Sequence, residues 1–177
     1  MVARWKPVHH GHAVVLRALC DRAERAVIGI GSANRLDTRN PFSFGESRQM
    51  IRLVLKGRDN YTVVGVDDLD DGPRWASMVA DLLGSLDLFV TGNPYVASLL
   101  CDRYAVARPV ELVSPEEHIR LDATMVRRAM AQGDAWRDMV PGEVAAYVIA
   151  EGLDERFRRE FGLQTLALDA PRPLGGE

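Results

Sequence analysis

Nine residues near the amino end, Arg4-Trp5-Lys6-Pro7-Val8-His9-His10-Gly11-His12, stand between a short apolar stub and a segment of helical period, and no other feature limits the fold as much. Across residues 13–25 the apolar positions Val15, Leu16, Leu19, Cys20 and Ala23 recur at helical spacing. Ala26-Val27-Ile28-Gly29-Ile30 follows as a short β-branched run, which reads as a buried strand opening into a loop at Gly31-Ser32-Ala33. Residues 1–3 are very short for a first strand, either a stub or a late start. Strand, loop, helix and strand at this separation imply a crossover, and hence a parallel sheet.

The loop itself has a chemical character. Gly11 lets backbone approach a ligand with no Cβ in the way. The free N–H groups of the following helix turn point back toward His9, His12 and Arg4. A helix N-terminus with imidazolium and guanidinium groups suits a dense anion such as phosphate. H-x-G-H alone is only a four-letter pattern, and paired histidines also occur as solvated surface residues or metal ligands. The metal reading lacks partners, because His10 lies in the same loop, His118 is distant, and Cys20 and Cys101 show no ligand-like spacing.

Further along, a polar loop with Arg35, Arg39 and Asn40 leads into Ser43-Phe44-Gly45-Glu46, a capping box ahead of the apolar positions Met50, Ile51, Leu53, Val54 and Leu55. Arg48 and Arg52 lie four apart on that helix, as phosphate ligands or as ordinary solvated charges. Residues 61–66 form the third strand. Asp67, Asp68, Asp70 and Asp71 then crowd a turn whose spacing fits no calcium loop, so it reads as a solvated acidic turn. The spacing predicts a helix over 74–83, with Trp75 in its first turn either stacking on a planar ring or stapling the helix to the core. A fourth strand over 86–91 ends at Gly92-Asn93-Pro94, at the end of the sheet where ligands gather in open parallel folds. A helix over 95–104 and a fifth strand over 110–113 come next. Asp122 or Thr124 then caps a helix carrying Arg127 and Arg128, a second candidate anion site. Pro141 opens a helix that Gly152 ends, and a last amphipathic piece covers 154–161.

The expected architecture is one α/β domain over residues 1–162, with about five parallel strands flanked by helices, C-terminal helices, and a poorly ordered tail over 163–177. A net charge of -3 argues against nucleic acid as the main partner. No apolar run reaches transmembrane length, and two widely separated cysteines suggest reduced thiols, so the reading is a cytoplasmic protein without a membrane partner. An exposed apolar helix face would suit a homo-oligomer.

Four segments agree in order and spacing with one family. Arg4-x-x-Pro7-x-His9-x-Gly11-His12, Ile30-Gly31-Ser32-Ala33, Asn40-Pro41-Phe42-Ser43, and Thr124-x-Val126-Arg127-Arg128 with Trp136 and Pro141 beyond resemble the archaeal-type nicotinamide mononucleotide adenylyltransferases over roughly residues 3–150. The resemblance implies a Rossmann-like nucleotidyltransferase fold that transfers AMP from ATP to nicotinamide mononucleotide, and to nicotinate mononucleotide as a further acceptor, giving NAD and pyrophosphate by in-line attack. It implies that His9, His12, Arg4 and Arg127 are catalytic and that Gly11, Thr124, Arg128 and Asn93 bind ATP. The acceptor falls to Gly31, Ser32, Phe42, Trp75 and Arg48. Mg²⁺ is expected on the ATP phosphates, with no metal ligand from the protein. This chain departs from the family pattern in having Ala3 for glycine, and Lys6 and Val8 for the commoner glutamine and phenylalanine. It also has Ser47 where arginine is common, and Asp122-Ala123 for a serine-glycine pair. Rival readings are a cytidylyltransferase, or another nucleotidyltransferase with a different phosphate-bearing acceptor, and a non-catalytic nucleotide-binding sensor. The F-D lead-in and R-T-E-G-I-S-T ending of cytidylyltransferases are absent from the sequence.

Overall fold

Strands and helices alternate along the first hundred residues of the computed structural model, which describes residues 1–168. β1 (Val2–Ala3) runs through the histidine loop into α1 (His10–Arg22), which returns to β2 (Ala26–Gly31). α2 (Phe44–Val54) then carries the chain to β3 (Tyr61–Val66). β2 pairs in parallel with both neighbours, Ala3 opposite Ile30 and Gly31 opposite Val66, in the order β1-β2-β3. Both faces of β2 are covered, and Ile28 and Ile30 are fully buried. Gly29 sits where a Cβ would stand 2.8 Å from Val2 Cγ2, so the close approach of the β1 and β2 side chains depends on that glycine.

The second half adds α3 (Gly72–Leu83), β4 (Phe89–Val90), α4 (Pro94–Leu100) and β5 (Val106–Ala107). β4 and β5 also pair in parallel, so the strands form a three-stranded and a two-stranded ladder instead of one continuous five-stranded set. Val2 packs against the second core group around Val66, Val79, Phe89 and Leu100, which holds the ladders together.

Two expected elements move. The fifth strand is at Val106–Ala107, and the segment expected to be extended is instead a 3₁₀ turn, Pro109–Leu112. Pro109 fixes φ and removes a ladder donor, and the Glu111 carboxylate accepts the Arg108 N–H at 3.2 Å to close the turn. α4 stops at Leu100, and Tyr104 leaves the helix to donate its hydroxyl to the Gly84 carbonyl at 2.7 Å.

α5 (Ala123–Gln132), α6 (Gly142–Ala150) and α7 (Leu153–Phe157) complete the main core through Val126, Met130, Val148 and Phe157. Each such fully buried side chain contributes about 2 kcal/mol. The tail expected from residue 163 begins as more helix: a π-helical turn, Arg158–Gly162, leads into α8 (Leu163–Leu168), which buries Thr165. The remainder of that expected tail lies outside the described residues. Arg156 ties this end to the start of α2 through Glu46, at 2.6 and 2.8 Å, and the Pro41 carbonyl at 3.0 Å.

Candidate active site

The carboxyl ends of β1, β2, β3 and β4 open onto one cleft of about 880 Å³. Arg4, His9, Gly11, His12, Gly31, Ser32, Trp75, Asn93, Thr124 and Arg127 all line it. Just past β1, β2 and β3, the chain turns through the left-handed region at Trp5 (φ 55°), Ser32 (φ 51°) and Asp70 (φ 55°), and all three face the cleft. A non-glycine residue held there costs on the order of 1–3 kcal/mol, and such strain gathers where geometry matters for function. Here it is held by specific bonds. Trp5 donates its indole N–H to Gly29 O at 2.9 Å, and the Lys6 ammonium donates to Ser32 O at 2.8 Å. The Asp70 carboxylate pairs with Arg35.

His9 caps α1, its Nδ1 accepting the His12 N–H at 3.3 Å. That bond places the ring proton on Nε2, the donor left for a ligand. The His12 ring stacks on His9 at 3.6 Å and 20°, and meets the Trp5 indole edge-on at 4.9 Å and 64°. Burial pushes the His9 pKa down to about 4, with Asp122 opposing and His10 and Arg127 adding to the fall. Burial and the His9 ring hold His12 well below the usual imidazole range. The sequence reading treated these rings as imidazolium, whereas in the free site both are neutral hydrogen-bonding groups. The consequence for stability is signed. The unfolded chain binds protons at these rings that the folded chain does not, so the full contribution is present above about pH 6.5 and is lost as pH falls toward about 4. His9 alone accounts for about 3 kcal/mol of this. Urea midpoints measured down that range should fall steeply for the wild type and more gently for His9→Gln.

Gly11 adds a second local constraint. A Cβ there would meet the His9 ring at 3.2 and 3.3 Å. Gly11→Ala should raise helix propensity by up to about 1 kcal/mol while displacing the ring, so turnover should drop about tenfold with no loss of melting temperature. A parallel loss of both in a combined assay would show that the glycine serves the fold instead.

Arg127 is buried, and its guanidinium donates to Lys6 O at 3.0 Å and to Thr124 Oγ1 at 3.2 Å. Burial lowers its pKa to about 10, with Arg4 adding and Asp122 and Asp37 opposing, so it stays a cation at neutral pH. The start of α5, expected as a second anion site, is already filled: Asp122 Oδ1 accepts the N–H of Thr124 at 2.7 Å and of Met125 at 2.9 Å. The positive charge on that side of the cleft therefore comes from the Arg127 side chain.

Three expected site residues lie elsewhere. Phe42 is fully buried and stacks on Phe157 at 6.5 Å, as part of the core. Arg48 lies over the Phe44 ring at 5.5 Å, outside the cleft lining. Arg128 is exposed and outside the lining, because the next residue on a helix turns about 100° away from Arg127. The acidic turn, read from sequence as solvated, contributes Asp68, Asp70 and Asp71 to the wall that holds Trp75. Arg35 Nε lies 3.3 Å from Asp68, and Asn34 exchanges two hydrogen bonds with the Asp68 backbone at 3.0 and 2.9 Å. The signal was its position, directly after a strand's carboxyl end. Among the described residues no group of three or more His, Cys, Asp and Glu side chains is clustered to hold a metal ion.

Stacked imidazoles and a buried guanidinium at the carboxyl ends of parallel strands make this a nucleotidyltransferase-type site, and residues 2–129 match the family model described as cytidylyltransferase-like. Nicotinamide-nucleotide adenylyltransferase of Methanococcus vannielii is 32% identical over 151 residues, covering 84% of this chain and 86% of the relative. That of Pyrococcus furiosus is 35% identical over 156 residues, covering 83% and 80%. The chain therefore belongs to the cytidylyltransferase-like family, among its nicotinamide-nucleotide adenylyltransferases. The same fold occurs in a bifunctional NMN adenylyltransferase/ADP ribose pyrophosphatase from Francisella tularensis, solved with AMP and a Mn ion, at TM-score 0.68 and 17% identity. That match covers 97% of this chain and 55% of the length of the bifunctional one. Among the described residues no helix is long and apolar enough to cross a membrane.

Proposed function

We propose that this chain transfers AMP from ATP to nicotinamide mononucleotide, with the residues of the cleft acting by position and charge. The observation that carries this reading is the convergence of His9, His12 and Arg127 on one cleft whose lining also includes Trp75. An oxygen of the mononucleotide's phosphate attacks the α-phosphorus of ATP, and the bond from that phosphorus to the bridging oxygen breaks opposite it. Pyrophosphate leaves and NAD remains. The attacking phosphate is already anionic, so no general base is needed, in keeping with neutral histidines that donate hydrogen bonds. His9 donates Nε2–H, His12 donates from the stacked ring, and Arg127 and Arg4 hold the triphosphate charge that grows as the bond breaks. A divalent cation accompanies ATP as part of the substrate, ligated by phosphate oxygens and water. The carboxylates of Asp68, Asp70 and Asp71 beside Trp75 favour an amide-bearing ring over the carboxylate of nicotinate mononucleotide. Free Cys20 and Cys101 suit a reducing cytoplasm.

Initial rates with ATP or CTP, and with nicotinamide or nicotinate mononucleotide, test the reading directly. NAD and pyrophosphate from ATP and the nicotinamide compound support it. Preference for CTP, or nucleotide binding with no product, overturns it.

A further inference from the structure

We propose that Lys6 is a positioning residue for the acceptor side of this cleft: its ammonium holds the Ser32 backbone in the left-handed turn that lines the site. The proposal rests on the adenylyl-transfer reading above and adds a residue that the reading does not use. Lys6 is fully buried, a place lysine almost never occupies without a partner. Its Nζ donates to Ser32 O at 2.8 Å. Lys6 itself does not line the cleft, so it acts through what it holds.

What it holds is a strained and central point. Ser32 has φ 51°, lies directly after β2, and turns its hydroxyl toward Asp68 Oδ2 at 3.5 Å. Ser32 thereby joins the β2 loop to the acidic wall beside Trp75. An unpinned residue could relax from a left-handed turn into a commoner conformation, and the wall would lose its shape. The same lysine serves the other half of the site through its backbone, since Lys6 O accepts from the Arg127 guanidinium at 3.0 Å. Side chain and carbonyl thus act on different halves, and a side-chain substitution leaves the triphosphate half in place.

The charges facing Lys6 come from three elements. Asp37, on the loop before α2, favours the ammonium and is itself fixed by the Asn40 side chain at 3.0 and 3.1 Å. Arg4 on its own loop disfavours it, and the Arg127 cation of α5 lies at its carbonyl. Burial outweighs Asp37 and brings the Lys6 pKa down to about 8, so the ammonium is present at neutral pH and is lost through mildly alkaline pH. The pin on Ser32 should weaken over the same range.

The experiment compares the full-length wild type with Lys6→Met and Lys6→Gln, measuring dinucleotide formation between about pH 7 and about pH 9.5. Lys6→Met should raise KM for nicotinamide mononucleotide about tenfold, with KM for ATP and kcat within about twofold. Lys6→Gln supplies a neutral donor one bond shorter and should recover most of that loss. The wild-type acceptor KM should climb above about pH 8, and neither variant should show the climb. An unchanged acceptor KM in Lys6→Met overturns the proposal. So does an equal loss in both KM values, kcat and melting temperature that Lys6→Gln fails to rescue, which is what a purely structural lysine would give. If the wild type itself forms no dinucleotide, the functional reading fails, and that failure is separate from either result.

Discussion

His12→Ala is expected to lower kcat for NAD formation by a factor of about 10² to 10³, with a much smaller change in KM for ATP. The argument is geometric. His12 sits between the Trp5 indole and the His9 ring in the first turn of α1, facing the cleft that Arg127 borders. The ring is fixed between two others, so its hydrogen-bonding nitrogens are held in place before any ligand arrives. A preorganised group of this kind matters most when charge develops on the phosphate oxygens, which is why the loss falls on kcat. The fold should survive, because the cap of α1 uses the His12 backbone N–H and not its ring. Truncation leaves a gap beside Trp5 of a sort that costs about 1–3 kcal/mol, which a thermal melt would report separately from the rate. Turnover within twofold of the wild type, measured as pyrophosphate release, would remove the histidine pair from the mechanism.

Much of this site was legible because its parts are local in sequence. The histidine loop, the glycine within it and the helix behind it occupy consecutive residues, and Ser43-Phe44-Gly45-Glu46 announced α2 with a capping box that the structure shows in both directions. The features that sequence missed depend on distant parts of the chain. The family resemblance puts Phe42 at the acceptor, but α7 supplies Phe157 to bury it, and nothing near position 42 reveals that partner. The fifth strand slipped because Val110-Glu111-Leu112-Val113 has strand composition while Pro109 starts a 3₁₀ turn ahead of it. The charge state of His9 is set first by burial and then by Asp122 and Arg127 from the distant start of α5, whereas the rings packed on His12 are Trp5 and His9 of its own loop. The spacing of the acidic turn reads as solvated and not as a calcium loop, and Asp70 is exposed, but spacing does not reveal that the turn borders the cleft. Its place at the end of β3 makes it part of the cleft, with Arg35 balancing two of its carboxylates.

Arg127→Ala is the second large expected effect, and it separates a buried cation from an exposed one on the same helix. Losing the guanidinium should lower kcat/KM for ATP by about 10² or more, the scale on which a fixed donor to developing charge is worth several kcal/mol. It should also destabilise the protein, because Lys6 O would be left buried without its donor, a loss of about 1–3 kcal/mol or a fall of about 2–10 °C in melting temperature. Arg127→Lys keeps a charge but cannot span Lys6 O and Thr124 Oγ1 from one planar group, so it should recover less than about tenfold of the lost activity. Arg128→Ala, one residue on and outside the cleft, should leave rate and melting temperature within experimental scatter. Equal effects at the two positions would mean that general positive charge on α5 steers the nucleotide, and that the bonds holding Arg127 in place have no part in the transfer.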